Sequence, residues 1–196
     1  MTLTLAQKAA FTRLMDAGIR RSAELLGKMS DTKWGIMASS LNEISAVRLL
    51  SWFHRDGGTY LGARVASKTD LSMEFLVMFP DKSSKVVTAA VTKPHTRRLE
   101  KLPELLKLTI GEVSNILAQG IIGVVADELG RTIFLSAPKV ISGTKAGVLS
   151  AALDDYDGRK DMLLMAHMDL YSENLSAECS VVVIAETESL RRILSR

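Results

Sequence analysis

Two segments about half a chain apart carry the same pattern. Phe75-Leu76-Val77-Met78-Phe79-Pro80-Asp81 is an apolar run that leads into helical spacing, and Val181-Val182-Val183-Ile184-Ala185-Glu186 does the same. A short apolar run that gives way to helical spacing reads as a buried strand followed by a helix. Two such units predict a pseudo-symmetric α/β architecture rather than a solenoid, which takes about three or more repeats. With 196 residues the chain has the length of one ordinary domain. It is expected to be one domain of two pseudo-repeats, about 1–98 and about 99–196. Apolar residues make up 47% of it, enough to bury a core, and charged residues 24%.

Between these anchors the periodicity predicts further elements. Leu5, Ala9, Leu14, Leu25, Leu26 and Met29 recur at helical spacing with Lys8, Arg13, Arg20, Arg21 and Glu24 between them, so a long helix is expected over Leu5–Met29. Ser30-Asp31-Thr32 supplies turn chemistry. The stretch Trp34–Val47 fits a strand, while Leu41–Leu50 fits a short helix equally well. Strands are expected at Tyr60–Ser67 and Leu71–Phe79, and a helix from Pro80 to about Val91. A second long helix is expected over Leu105–Leu129, closed by Gly130 at its C-cap. Thr132–Ser136, Val148–Leu153, Asp161–Asp169 and Cys179–Ala185 read as strands, and Glu186–Arg196 as a charged helix.

Several function classes are excluded by what the sequence lacks. The net charge is only +3 with its basic residues scattered, and aromatics are 5% with no basic stretch interleaved, so nucleic acid is not an expected partner. Cys179 is the single cysteine, which excludes an internal disulfide framework and fits a reducing compartment. The most apolar run, Ile121–Ala126, is far shorter than the roughly 20 residues of a membrane span, and no signal pattern opens the chain. A cytoplasmic protein is expected. His54, His95 and His167 stand apart from one another and from ligand partners, so no metal site is assigned. Ser142-Gly143-Thr144-Lys145 lacks the leading glycine and following helix of a phosphate loop and reads as a turn. Gly57-Gly58 reads as a loop, and Met162, Met165 and Met168 as sheet packing.

The second long helix carries the most informative polar residues. Glu112, Asn115 and Gln119 are spaced i, i+3 and i+7, within roughly 60° of one another on one helix face. That face presents a carboxylate and two amides. Twenty-two residues separate Asn115 from Pro138, by which point the chain has turned at Gly130 and can return to border the same face. Taken alone, such a face reads first as a plainly solvated helix surface.

The segment Leu105–Gly120, followed by Asp127-Glu128-Leu129-Gly130 and Ser136-Ala137-Pro138, resembles the CheC/CheX/FliY family of chemotaxis phosphatases. The family pattern is Asp/Ser-x3-Glu-x2-Asn-x22-Pro on and after a helix, and Glu112, Asn115 and Pro138 occupy its last three fixed positions. The resemblance implies a pseudo-twofold duplication with long helices packed on a largely antiparallel sheet. It further implies hydrolysis of the aspartyl-phosphate of a CheY-like response regulator, with Glu112 and Asn115 as catalytic residues and Pro138 structural. Gln119 and Thr109 are possible accessories. No cofactor of the chain's own is implied, Mg²⁺ being expected in the response-regulator partner. A CheD-type deamidase or a flagellar switch protein is a further implied partner. Two departures qualify this. Leu108 stands where the family has Asp or Ser, unless Thr109 substitutes. In the first half Arg13, Asp16 and Ser39 fall where Glu, Asn and Pro would stand, so that copy is expected to be inactive and a single site to remain. A CheC-like binding module without catalysis is the alternative reading.

Overall fold

The computed structural model of the protein describes residues 3–53, 57–67, 69, 71–92, 103–153 and 162–194. Helix α1 (Leu5–Ser30) begins at a reciprocal cap. Thr4 Oγ1 accepts from the Gln7 amide at 3.2 Å, and Gln7 Oε1 accepts from the Thr4 amide at 3.0 Å. Two of the amides that a helix start leaves open are satisfied in this way. The helix ends at Asp31, held at φ 51° in the left-handed region that a short polar residue tolerates. Then follow β1 (Gly35–Ser45), α2 (Ala46–Phe53), β2 (Tyr60–Ala66), β3 (Met73–Pro80) and α3 (Asp81–Thr92). The same order recurs as α4 (Pro103–Leu129), β4 (Lys139–Gly143), α5 (Lys145–Leu153), β5 (Met162–Ser172), β6 (Ala177–Glu186) and α6 (Thr187–Leu194).

The six strands form one sheet in the order β1-β5-β6-β3-β2-β4, with every pairing antiparallel. Exchanging β1 with β4, β2 with β5 and β3 with β6 turns this order into its own reverse. The topology therefore has an internal twofold between β3 and β6, where Leu76 pairs with Val182. The two faces of the sheet are covered differently, and the alternation of side chains along a strand shows how. On β5, Leu164, Ala166, Met168 and Leu170 join the core under α1 and α4, while Leu163 and Met165 join a second core under α2 and α5. Helices thus lie on both sides of the sheet.

Helices α1 and α4 cross at small residues. A Cβ added at Gly18 would lie 2.8 Å from Ile121 Cα, and one at Gly120 would lie 2.4 Å from Ser22 Oγ. Ser22 Oγ donates to the Leu117 carbonyl at 2.7 Å. Taken whole, α4 is long and apolar enough to cross a membrane, although its most apolar run, Ile121–Ala126, is short. Here Val113, Leu117 and Ile121 are fully buried against α1 and the sheet. Met165 and Met168 are core as expected, whereas Met162 is 36% exposed.

Three expectations are corrected. Thr132–Ser136 is not a strand: Leu135 makes one isolated bridge to Ser67, and pairing begins at Lys139. Val148–Leu153 is the body of helix α5. A six-residue, mostly apolar run cannot by itself distinguish strand from helix, and Leu149, Ala151, Ala152 and Leu153 favour the helix. Ser142–Lys145 is the end of β4 and the start of that helix, with Thr144 Oγ1 accepting from the Gly147 amide at 3.1 Å. A helix does therefore follow Gly143, though the leading glycine of a phosphate loop is still missing. The ambiguous stretch resolves as strand to Ser45 and helix from Ala46. Pro94, the repeat boundary near 98, Asp161, Ser195 and Arg196 lie outside the described residues.

Candidate functional site

The site is built on α4, whose rigid turns fix which side chains share a face. Glu112 and Gln119 are exposed, and Asn115 is half-buried between them. The neighbouring Val113, Ser114 and Leu117 point into the core, so the amphipathic split of the helix forces the polar stripe outward. Leu108 is 68% exposed on the same stripe, one turn before Glu112. Thr109 is buried, 7% exposed, on another side of the helix. It therefore does not supply the polar group missing at Leu108.

The chain after α4 makes the other wall. Gly130, at φ 60°, reverses it, with the Arg131 amide donating to the Ala126 carbonyl at 3.0 Å. The returning segment is tied to the end of β2. The Ser136 amide donates to the Ala66 carbonyl at 2.8 Å, and Ser136 Oγ accepts from the Ala66 amide at 3.0 Å. Asn115, Gln119 and Ile122 on the helix and Ile133, Phe134 and Ala137 on this segment line an open groove of about 470 Å³. Pro138 closes it against Gly111: a Cβ there would sit 3.6 Å from Pro138 Cγ and 3.3 Å from Val140 Cγ2. Pro138 thus borders the helix one turn before Asn115. No described residue hydrogen-bonds the Asn115 side chain, so its acceptor and donors are open to a visitor.

The first half assembles the same parts with different chemistry. Asp16, Thr12, Ser39 and Ser40 line a smaller groove of about 130 Å³ between α1 and β1, with Arg13 exposed beside it. The equivalence extends to register. Leu135 opposes Ser67 and Lys139 opposes Arg64, a slip of one residue; Ile36 opposes Leu170 and Ala38 opposes Asp169, again a slip of one. The groove is therefore present twice, but its first copy holds a carboxylate and an arginine where the second holds an amide and a carboxylate.

Another polar cluster lies on the α2/α5 side of the sheet and depends on strand register. His167 Nε2 lies 3.2 Å from Asp169 Oδ1, and Ser180 Oγ donates to the same oxygen at 2.6 Å. Burial opposes the Asp169 carboxylate, but the adjacent His167 imidazole, the hydrogen bond from Ser180 and the charge of Lys145 hold its pKa below the ordinary carboxylate value. Burial also pushes the Cys179 thiol well up, aided by Asp169 and Glu178, so this cysteine is an inert core residue. The i, i+2 pair His167/Asp169 on a strand was the available sequence signal. His54 and His95 lie outside the described residues.

The fold is the one shared by FliY and CheX structures, and the chain is similar in sequence to a CheC protein. No protein-family model matches the chain. It is 22% identical over 172 residues to a Halobacterium salinarum protein assigned as a CheY-P phosphatase, CheC1, covering 88% of this chain and 86% of that one. Thermotoga maritima FliY shares the fold at TM-score 0.75 and 16% identity, over 100% of this chain and 97% of that one. The FliM middle domain from H. pylori does so at TM-score 0.65 and 11% identity, over 98% and 99%.

Proposed function

We propose that this protein hydrolyses the aspartyl-phosphate of a CheY-type response regulator, using one site on α4. The observation that carries the reading is the amide of Asn115, without a hydrogen-bond partner among the described residues and facing an open groove one turn from an exposed carboxylate. The likeness to an archaeal protein assigned as a CheY-P phosphatase supports the substrate class.

The chemistry asks little of the chain. An acyl phosphate already held with Mg²⁺ in the regulator needs chiefly a water placed in line. The Asn115 carbonyl oxygen accepts a hydrogen bond from that water, while its NH₂ donates to the phosphoryl region. Holding the water in this orientation removes much of the entropic cost of attack. Glu112, exposed one turn away, pairs with a lysine beside the regulator's phosphorylation site and fixes the register of the two proteins. Pro138, with φ fixed by its ring, stiffens the wall at Gly111. The first half, with Arg13, Asp16 and Ser39, offers no equivalent amide and is inactive in this reading. In this reading the protein works in the cytoplasm, beside its regulator.

A binding module without catalysis is the second reading, with a regulator, a CheD-type deamidase or a flagellar switch protein as its partner. Leu108 at the family's Asp/Ser position favours it, as does the shared fold of FliM, solved from H. pylori in complex with FliG. Phosphate release from phosphorylated regulator, with and without the protein, separates the two. Acceleration of at least tenfold is expected at saturating protein. Binding without acceleration would establish the module instead.

A further inference from the structure

Two large apolar side chains stand on either side of the Asn115 amide, and nothing in the hydrolytic reading uses them. Leu108 is 68% exposed and Phe134 is 65% exposed. Scattered exposed hydrophobics are ordinary on a protein surface, but these two belong to one surface feature. At 100° per residue Leu108 falls within the arc spanned by Glu112, Asn115 and Gln119, about 10 Å along the axis before Asn115. Phe134 lines the groove with Asn115 and Gln119 from the opposite wall. The backbone directly after it is held by the Leu135–Ser67 bridge and the Ser136–Ala66 hydrogen bonds, which anchor the segment that carries the ring.

The twin groove provides an internal comparison. The positions that correspond to Leu108 and Phe134, by the offset that takes Asp16 to Asn115 and Ser39 to Pro138, are Ala9 and Gly35. Both large side chains are thus missing from the half that also lacks the amide. A few side chains that become fully desolvated in pockets near the centre of an interface carry most of its affinity.

We infer that Leu108 and Phe134 are the apolar anchors by which the α4 surface grips the response regulator, each seating against an apolar side chain beside the phospho-aspartate. The inference rests on the reading of this surface as the regulator's docking site. Leu108 then replaces a polar residue of the family pattern with a binding contact, and both residues act as positioning residues that govern affinity rather than the rate once bound.

The test titrates a regulator carrying beryllofluoride on its aspartate against the unmodified protein, Leu108→Ala, Leu108→Ser, Phe134→Ala and the Leu108→Ala/Phe134→Ala double variant. Both side chains are exposed, so circular dichroism should show unchanged folding. Each single variant should raise Kd about five- to tenfold, and the double variant thirtyfold or more, with kcat at saturating phosphorylated regulator within twofold. Kd within twofold of the unmodified protein in every variant would overturn the proposal. So would a fall in kcat at unchanged Kd, or a gain in affinity for Leu108→Ser. A dimer of this chain that dissolves in the variants while regulator binding holds would reassign the surface to a second copy and overturn it too. If the unmodified protein binds but releases no phosphate, hydrolysis fails and the anchors are still judged on Kd. If it does not bind at all, both fall.

Discussion

Replacing Asn115 with alanine should separate function from fold. The side chain is half-buried and makes no hydrogen bond to a described residue, so its removal leaves no buried group unsatisfied. Alanine is the better helix former by up to about 0.7 kcal/mol. For a chain of this size that corresponds to a Tm unchanged or raised by about 2 °C. The catalytic effect runs the other way. Loss of one positioned polar group at a reacting centre costs about 10²–10³ in rate, or roughly 3–4 kcal/mol of transition-state stabilisation. The assay is inorganic phosphate release from phosphorylated regulator, measured above its own autohydrolysis, beside thermal unfolding of the same preparation. Acceleration retained within threefold would refute the water-placing role. A Tm lowered by more than about 4 °C would show instead that the amide holds the fold.

Other residues make sharp stability predictions. Gly120→Ala, a change that gains about 1 kcal/mol in an open helix, should instead lower Tm by several degrees, because the new Cβ would lie 3.0 Å from Ser22 Cα. Gly123→Ala on the same helix should raise it, since there the new atom meets only the movable end of Arg21. Arg64 holds Glu74 through two bonds of 2.8 and 2.9 Å and donates to the Ala151 carbonyl at 3.2 Å. Arg64→Met leaves that buried carboxylate unpaired and should cost about 3–5 kcal/mol, read by urea denaturation, with Glu74→Leu in the same chain recovering most of it. The pKa of Asp169 is depressed in the folded state, so its contribution to stability is present above the unfolded value and lost as pH falls through the folded one. Below about pH 4 the unfolding free energy of Asp169→Asn should therefore decline less steeply than that of the unmodified protein.

What the sequence disclosed was what a single helix or a repeated pattern can encode. Glu112, Asn115 and Gln119 share a face because helical spacing alone decides it, and the long helices are unmistakable in their periodicity. That Pro138 can border this face follows from the turn at Gly130 and the length of the return, and the structure supplies the contact, at Gly111. The other wall of the groove was not legible: residues 132–136 have strand composition but pair only through Leu135, the rest of the segment being spent on the return beside α4. Helix α5 reads as a strand in the sequence because the six residues Val148–Leu153, five of them apolar, do not define a period. Register-dependent partners, such as Arg64 with Glu74 or Asp169 with Ser180, join strands whose pairing no local pattern reveals.

The central claim is that a regulator's phosphorylation site meets the α4 groove at Asn115. Its most direct test is amide chemical-shift mapping of ¹⁵N-labelled protein on addition of beryllofluoride-loaded regulator. The account predicts that the Asn115 and Gln119 side-chain NH₂ resonances and the backbone amides of residues 132–137 move together at stoichiometric regulator. Perturbations confined to the α1 groove around Asp16 and Ser39, or to the α2/α5 side around Asp169, with the Asn115 side chain unmoved, would contradict it.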